Sequence, residues 1–256
     1  HRALRDDLDG GGLLVRHRHA DVHAGPASAW KSAGGSAQAG NALLACDGIP
    51  VPESVDFAVV AGGWDKQRVA EAVEAIGYPV VVKPSRQGST IGMTKVNAAD
   101  ALNNAIKEAA AYDEQIIVER FVAGTELTVG VLGNDDPRAL PVIEIVPMGG
   151  FYDYEAKYAP GGSEHYIPAR ITEEQTQAAQ EIALRAFRSL GCRGMARVDI
   201  MLSPEGMYVL EVNTIPGMTP TSLLPEAAKA AGIGFGQLLD TLIGFALESP
   251  TLDWPR

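Results

Sequence analysis

The segment "ARVDIMLSPEGMYVLEVN" constrains the fold of this chain more than any other. Two runs in which apolar and polar residues alternate flank the turn "PEG", which is typical of a β-hairpin. With the turn centred on Glu205, the register places Asp199 opposite Glu211 and Arg197 opposite Asn213. Because side chains alternate between the two faces of a strand, we expect these four to share one face.

Two carboxylates that face each other across a strand pair repel unless a cation lies between them. A hard cation such as Mg²⁺, held by carboxylate and amide oxygens, meets that need. The other interpretation is a solvated sheet face on which Arg197 neutralises Asp199, and the spacing alone leaves both open. The run "NTIPGM", which follows directly and offers a glycine amide, favours the metal site.

The segment "VVKPSRQGSTIGMTKV" is a second candidate for ligand binding. A buried strand ends in Lys83 and is followed by a turn that contains Gly88, Ser89, Thr90 and Gly92. Backbone N–H groups, hydroxyls and a lysine of this kind can bind a phosphate. In a Walker A loop the lysine follows the last glycine, so this segment is of another type. An ordinary turn is the alternative.

Composition excludes several classes of protein. The chain has 256 residues, of which 46% are hydrophobic and 21% charged, so a folded core is expected. A net charge of -11 argues against nucleic-acid binding. No apolar run approaches the ~20 residues that span a bilayer, so we predict no membrane segment. Cys46 and Cys192 show no metal or disulfide spacing and are predicted to be buried or half-buried thiols, which indicates the cytoplasm.

The character of the sequence changes near Asn41. Residues 1–40 show no helical or strand periodicity, and they are predicted to form an irregular arm. A metal site is the less favoured interpretation of the histidines in this arm, because no helical His-x-x-x-His pair with a supporting acid occurs. These histidines are His1, His17, His19 and His23.

From Asn41 onward the pattern is regular and predicts an α+β fold. Helices are expected over "DKQRVAEAVEAIG", "AADALNNAIKEAA", "TEEQTQAAQEIALRAFRSLG" with a Thr172–Gln175 capping box, and from Leu223 to Leu247. Strands are expected over "YPVVVKP", "QIIVERFV", "ELTVGVLG" and "ALPVIEIVP". We expect mixed sheets with the helices on one side.

Several of these motifs together resemble those of D-alanine:D-alanine ligases, members of the ATP-grasp superfamily. The motifs are "VVKPSRQGSTIGM", "VERFVAGTELTV", "FYDYEAKY", "GCRGMARVDIML" and "EVNTIPGMTPTSLLPEAA", in the family's order and approximate spacing. The resemblance implies an ATP-grasp fold of two α+β subdomains, a central one over residues 41–126 and a catalytic one over residues 127–256.

The resemblance also implies a reaction and a set of binding residues. ATP phosphorylates one D-alanine, and the amine of a second D-alanine attacks the acyl phosphate to give the dipeptide for cell-wall precursors. Two Mg²⁺ ions, for which Mn²⁺ can substitute, are implied on Asp199, Glu211 and Asn213. The implied ATP-binding residues are Lys83, Glu119, Phe121, Val122, Glu126 and Lys157.

Other implied roles concern the reacting groups. Arg197 and the Gly217 amide match groups that stabilise the developing charge, while Ser222 and Leu223 match the site of the second D-alanine. "FYDYEAKY" resembles a mobile loop that closes over the site, in which Lys157 reaches the phosphate and Tyr158 hydrogen-bonds toward Ser89. A tyrosine at position 158 favours D-alanine over D-lactate as second substrate.

The chain departs from the family pattern at its start. The family's first domain supplies a glutamate, a His-Gly motif and a Met-Asp-Lys segment, and residues 1–40 contain none of them. Three interpretations therefore stay open: an active ligase, a remnant that binds ATP and Mg²⁺ without catalysis, or a ligase with another acceptor. The sequence also leaves the oligomeric state open.

Overall fold

The computed structural model describes residues 37–61, 63–86, 91–147 and 163–248. The described residues up to 123, together with 147, 163 and 164, form one compact unit, and residues 124–146 with 165–248 form a second. Ser89, Lys157, Tyr158 and the four N-terminal histidines lie outside the described residues. The domain boundaries expected from the sequence stay a prediction.

The first unit contains three helices and a four-stranded antiparallel sheet, and the second and third of these helices pack on one face of the sheet. Its helices are α1 (Ala37–Cys46), α2 (Lys66–Ile76) and α3 (Ala99–Ala110). Its strands are β1 (Ser54–Ala58), β2 (Val80–Pro84), β3 (Thr94–Val96) and β4 (Gln115–Arg120), in the order β1-β4-β2-β3. The alternation in β2 turns Val80 and Val82 toward the helices, where both are fully buried. The opposite face therefore carries Lys83.

The second unit is built on a six-stranded sheet. The strands are β5 (Thr125–Gly133), β6 (Arg138–Ala139), β7 (Ile143–Pro147), β8 (Ser163–Tyr166), β9 (Gly194–Ser203) and β10 (Gly206–Asn213). Their order is β10-β9-β5-β7-β8, with β6 beside β5. The helices are α4 (Glu173–Ser189), α5 (Leu223–Ala230) and α6 (Phe235–Leu247).

Helices α4 and α5 both pack against this sheet. Helix α4 begins at the predicted capping box, in which Thr172 and Gln175 each accept a hydrogen bond from the other's backbone N–H. Gly130 of β5 leaves room for α5, because a Cβ there would come within 2.7 Å of Leu224. The missing side chain thus lets α5 approach the sheet closely.

Several expectations need correction. The sheets are antiparallel wherever their register is described, rather than mixed. Helix α1 covers Ala37–Cys46, so the four residues before Asn41 are helical. Cys46 is exposed rather than buried, whereas Cys192 is half-buried and its burial raises the pKa of the thiol to about 11.

Helices α5 and α6 bear on the prediction that the chain has no membrane segment. Among the described residues, no single helix is both long and apolar enough to cross a membrane. Helices α5 and α6 reach the required length and composition only as a pair, which is bent by 105°.

Candidate active site

The hairpin β9–β10 carries the charged cluster that the sequence predicts. Asp199 pairs with Glu211 and Arg197 pairs with Asn213, so the predicted register at these four residues is confirmed. The same face continues onto β5, where Thr128 lies opposite Asp199. Three neighbouring strands therefore present polar side chains at one level of the sheet.

The observed register depends on two features that the sequence did not indicate, the length of the turn and a β-bulge. At the turn, Ser203 pairs with Gly206, so the loop has two residues rather than a centre on Glu205. The register then shifts between Val209 and Glu211, which makes Leu210 the extra residue of a β-bulge. Continued without the bulge, the ladder would set Glu211 opposite Val198, on the buried face. The bulge thus brings the two carboxylates together.

Asp199 is the most constrained carboxylate of this cluster. It is 4% exposed, and Arg197 forms a fork-like pair with it, Nε to Oδ1 at 2.9 Å and Nη2 to Oδ2 at 2.8 Å. The Thr128 hydroxyl donates to Oδ1 at 2.6 Å, and the Asn213 Nδ2 donates to Oδ2 at 3.2 Å. The buried charge is therefore both paired and hydrogen-bonded, as its burial requires.

Glu211 and Asp199 converge on a single point. The Asn213 Nδ2 group donates to Glu211 Oε1 at 2.9 Å as well as to Asp199 Oδ2, so one positively polarised N–H₂ group serves both carboxylates. Arg197 Nη2 lies 3.8 Å from Glu211 Oε1. Two carboxylates and an amide with an oxygen of its own are a donor set that suits a hard divalent cation.

No group of three or more His, Cys, Asp or Glu side chains with metal-binding geometry occurs within the described ranges. The third donor of the hairpin cluster is an asparagine, which lies outside those four residue types. The fit to a cation therefore depends on the two converging carboxylates and on Asn213.

A second polar pair lies on the sheet of the first unit. Val81 of β2 lies opposite Glu119 of β4, so Lys83 and Glu119 share a face two residues apart. Lys83 Nζ donates to Glu119 Oε1 at 2.8 Å. Glu119 is 6% exposed, and its other oxygen, Oε2, is buried with no hydrogen-bond partner among the described residues. A buried acceptor of this kind is unusual and suits a donor supplied by a ligand.

The chain that follows β4 was predicted to contribute backbone groups. The Phe121 N–H donates to the Pro79 carbonyl at 3.0 Å, so this amide is already used within the fold. Val122 is buried. Lys95 Nζ lies 3.5 Å from the centroid of the Phe121 ring, a cation–π contact that sequence reasoning missed.

The loop before α5 brings three predicted residues together. Ser222 is the N-cap of α5 and Leu223 is its first residue. A Cβ on Gly217 would lie 2.9 Å from Ser222 Oγ, so the Gly217 backbone closely approaches this hydroxyl. Thr219, which was not predicted, donates its N–H to Ser222 Oγ at 3.1 Å and places its own hydroxyl 2.7 Å away.

Glu126 and Thr128 lie on the same face of β5. Glu126 pairs with Met201 of β9 and with Ile145 of β7. Thr128 was not identified from the sequence, although a threonine within the otherwise apolar run "LTVGVL" was a usable signal.

Two further ion pairs stabilise the units. Asp113 accepts from the Arg86 side chain and from the backbone N–H groups of Arg86 and Gln115. Burial acts to raise the pKa of Asp113, but these hydrogen bonds outweigh it and lower the pKa. In the second unit, the hydrogen bond from Arg170 holds the pKa of Glu144 below its ordinary value.

The chain is similar to known proteins over most of its length. A family profile described as "D-ala D-ala ligase C-terminus" matches residues 43–244. The D-alanine–D-alanine ligase of Desulforamulus reducens is 46% identical over 211 residues, which cover 80% of this chain and 67% of the relative. The chain thus spans about two thirds of the length of this curated relative.

Two solved structures have the same fold. The D-Ala:D-Ser ligase VanG from Enterococcus faecalis matches with a TM-score of 0.73 and 39% identity, over 82% of this chain and 61% of that one. The D-alanine–D-alanine ligase from Bacillus anthracis matches with a TM-score of 0.70 and 29% identity, over 83% of this chain and 66% of that one.

The α+β units with their charged hairpin face define an ATP-grasp protein, which confirms the predicted fold class. The chain belongs to the D-alanine–D-alanine ligase family. Membership in this family implies the use of ATP and a divalent metal.

Proposed function

We propose that this chain is an ATP-dependent ligase that joins two D-alanines into D-alanyl-D-alanine for peptidoglycan precursors in the cytoplasm. The γ-phosphoryl group of ATP passes to the carboxylate of the first D-alanine, which forms an acyl phosphate and releases ADP. The amine of the second then attacks the acyl carbon, and inorganic phosphate leaves. Family membership supports this proposal, and the convergence of Asp199 and Glu211 on the Asn213 Nδ2 group beside Arg197 carries it.

The nucleotide is proposed to contact the central subdomain, residues 41–126. The exocyclic amine of adenine is a donor, which is what Glu119 Oε2, without a hydrogen-bond partner in the described part of the chain, requires. Lys83 has a side chain that is 17% exposed, and its ammonium group is suited to the ATP phosphates. The remaining proposed ATP-binding residues are Phe121, Val122, Glu126 and Lys157.

The metal is proposed to bind the catalytic subdomain, residues 127–256. Asp199, Glu211 and Asn213 would hold Mg²⁺, with two ions expected and Mn²⁺ able to substitute. When bound, Mg²⁺ offsets negative charge on the phosphates. Arg197, already fixed by Asp199, presents a guanidinium whose charge opposes that of the phosphoryl group in transfer.

The second D-alanine is proposed to bind at the start of α5. Ser222 and Leu223 would receive its carboxylate, since a helix N-terminus favours an anion. The Gly217 N–H, close to Ser222, would donate to the tetrahedral oxygen. Ser89, Lys157 and Tyr158 are proposed to complete the site, with Lys157 on the transferred phosphate and closure excluding water from the acyl phosphate.

The test is phosphate release from ATP and Mg²⁺ with and without D-alanine, with the dipeptide followed in the same reaction. We expect dipeptide formation that Glu211→Gln or Lys157→Ala abolishes. Glu205→Gln, in the exposed hairpin turn, is the matched control and should leave the rate unchanged. ATP binding without dipeptide formation would instead identify a nucleotide-binding remnant.

A ligase with another acceptor is the second candidate. The similarity to VanG, a D-Ala:D-Ser ligase, favours D-serine as the alternative acceptor. Competition between D-alanine and D-serine for the second position, read from the ratio of the two dipeptides, separates the two candidates. An excess of D-alanyl-D-serine would select the second.

A further inference from the structure

We propose that Thr128 is a positioning residue that fixes the carboxylate of Asp199 for metal binding. This inference rests on the proposed function, since it takes Asp199 as a metal ligand. Thr128 itself is not proposed to touch the metal or the substrates.

The first argument is the burial of the threonine hydroxyl. Thr128 is 1% exposed and lies in the middle of β5, a strand whose other central residues are apolar. A buried hydroxyl needs a hydrogen-bond partner. Asp199 Oδ1 lies 2.6 Å from Thr128 Oγ1, whereas the other nearby acceptor, the Val198 carbonyl, lies 3.4 Å away. Asp199 is therefore the partner that this hydroxyl serves.

The second argument is the register that aims the hydroxyl. Thr128 lies directly opposite Asp199 in the β5–β9 ladder, so their side chains leave the sheet side by side on one face. Threonine is β-branched, which restricts rotation about its χ1 bond. The donor is consequently held at one place by the backbone.

The third argument is that the two oxygens of Asp199 accept hydrogen bonds from different side chains in addition to Arg197. Oδ1 accepts from Thr128 and from Arg197 Nε, while Oδ2 accepts from Arg197 Nη2 and from the Asn213 Nδ2 group that also donates to Glu211. Arg197 is a long side chain that also approaches Glu211, so it can turn together with the carboxylate. The hydrogen bond from Thr128 fixes Oδ1 relative to the sheet. It thereby keeps Oδ2 directed toward the Asn213 amide and Glu211.

Groups that orient a metal ligand typically alter metal affinity by about 10–100-fold when they are removed. Thr128→Val keeps the shape of the side chain and removes the donor. Thr128→Ser keeps the donor. Thr125→Val makes the same chemical change on the same strand but on its other face, so it is the matched control.

The test measures Mn²⁺ binding by electron paramagnetic resonance, using the full chain with a non-hydrolysable ATP analogue. We expect Thr128→Val to weaken Mn²⁺ binding by at least about tenfold, and Thr128→Ser and Thr125→Val to stay within about twofold of the unaltered protein. Thermal unfolding of each variant checks that it is folded. If the valine variant does not fold, Thr128→Cys, whose S–H is a weak donor, should show an intermediate loss.

A kinetic measurement distinguishes positioning from a general structural role. Thr128→Val should raise the concentration of Mg²⁺ that gives half-maximal rate, while kcat at saturating Mg²⁺ stays close to that of the unaltered enzyme. Unchanged Mn²⁺ affinity in the valine variant, or in the cysteine variant if valine does not fold, would overturn the inference. A failure of the unaltered protein to bind Mn²⁺ would instead overturn the proposed metal ligands.

Discussion

Glu119 and Asp199 are both buried carboxylates that pair with a cation, but they differ in how their oxygens are used. Asp199 receives donors on both oxygens, from Arg197, Thr128 and Asn213. Glu119 receives Lys83 on one oxygen, and the other is buried without a partner among the described residues. Asp199 therefore accepts hydrogen bonds on both carboxylate oxygens, whereas Glu119 accepts them on only one among the described residues.

This difference separates two ways of building a site. A carboxylate with donors on both oxygens is held in one orientation and can act as a fixed reference for its neighbours. A carboxylate with an unpaired oxygen carries a desolvation penalty that a ligand donor can relieve. The same chemical change at the two positions should therefore have opposite consequences for stability and for binding.

Asp199→Asn should have the largest effect on stability. The new NH₂ group faces Arg197 or Asn213, both of which are donors, so one contact becomes repulsive and the arginine loses its partner. We expect the free energy of unfolding in urea to fall by about 3 kcal/mol. Asp135→Asn, in an exposed pair with Arg193, is the control and should cost less than about 1 kcal/mol. Equal losses of unfolding free energy at Asp199 and Asp135 would contradict the view that the buried Asp199 pair contributes more to stability than an exposed pair.

Glu119→Gln should act mainly on binding. The amide oxygen can keep Lys83, so we expect the unfolding free energy to change by less than about 1 kcal/mol. The NH₂ group replaces the unpaired acceptor and faces the adenine amine, so ATP affinity measured by calorimetry should fall about tenfold. Full ATP affinity in this variant would show that Oε2 does not serve the nucleotide.

Gly217→Ala tests the loop before α5. The new Cβ would lie 2.9 Å from Ser222 Oγ and should displace that hydroxyl. We expect the KM for the second D-alanine to rise several-fold, on the order of 1 kcal/mol of lost binding. Gly236→Ala in α6 serves as the control, because no neighbouring atom of the described residues lies within 4 Å of its new Cβ. An unchanged KM would show that Ser222 does not take part in binding the second D-alanine.

The pair Glu144–Arg170 should give the smallest effect, and it depends on pH. Because the pKa of Glu144 is lowered in the folded state, the ion pair stabilises the protein above the ordinary pKa of 4.5 and loses this effect as the pH falls through the folded value. Glu144→Gln should cost about 1 kcal/mol at pH 7 and progressively less below pH 4.5. A cost that does not change with pH would contradict this assignment.

The sequence predicted most of the elements, because each of those has a local cause, but it did not predict α1, β1, β3, β6 or β8. Helix α2 follows from apolar residues at helical spacing, including Val69 and Val73, and ends at Gly77, whose φ of 87° suits glycine. The capping box at Thr172 fixed the start of α4. Helix α1 was not predicted, because "AQAG" has no periodic apolar pattern that would mark a helix start.

The contacts of the candidate site were less predictable. The pairing of Asp199 with Glu211 was predicted, but the two-residue turn and the bulge at Leu210 that produce it were not. A bulge depends on how both strands pack, so a single strand's alternation does not indicate it. Thr128 and Lys95 were missed because their partners lie 71 and 26 positions away along the chain.

The sequence by itself determined most of the strands and helices, the polar face of the hairpin and the family resemblance, since all of these follow from local periodicity and short motifs. Only the tertiary structure decided that Asp199 has donors on both oxygens, whereas Glu119 has a donor on only one within the described ranges. The physical reason is that a side chain's hydrogen bonds depend on neighbours from other strands. Those neighbours are set by long-range register, which the local pattern does not contain.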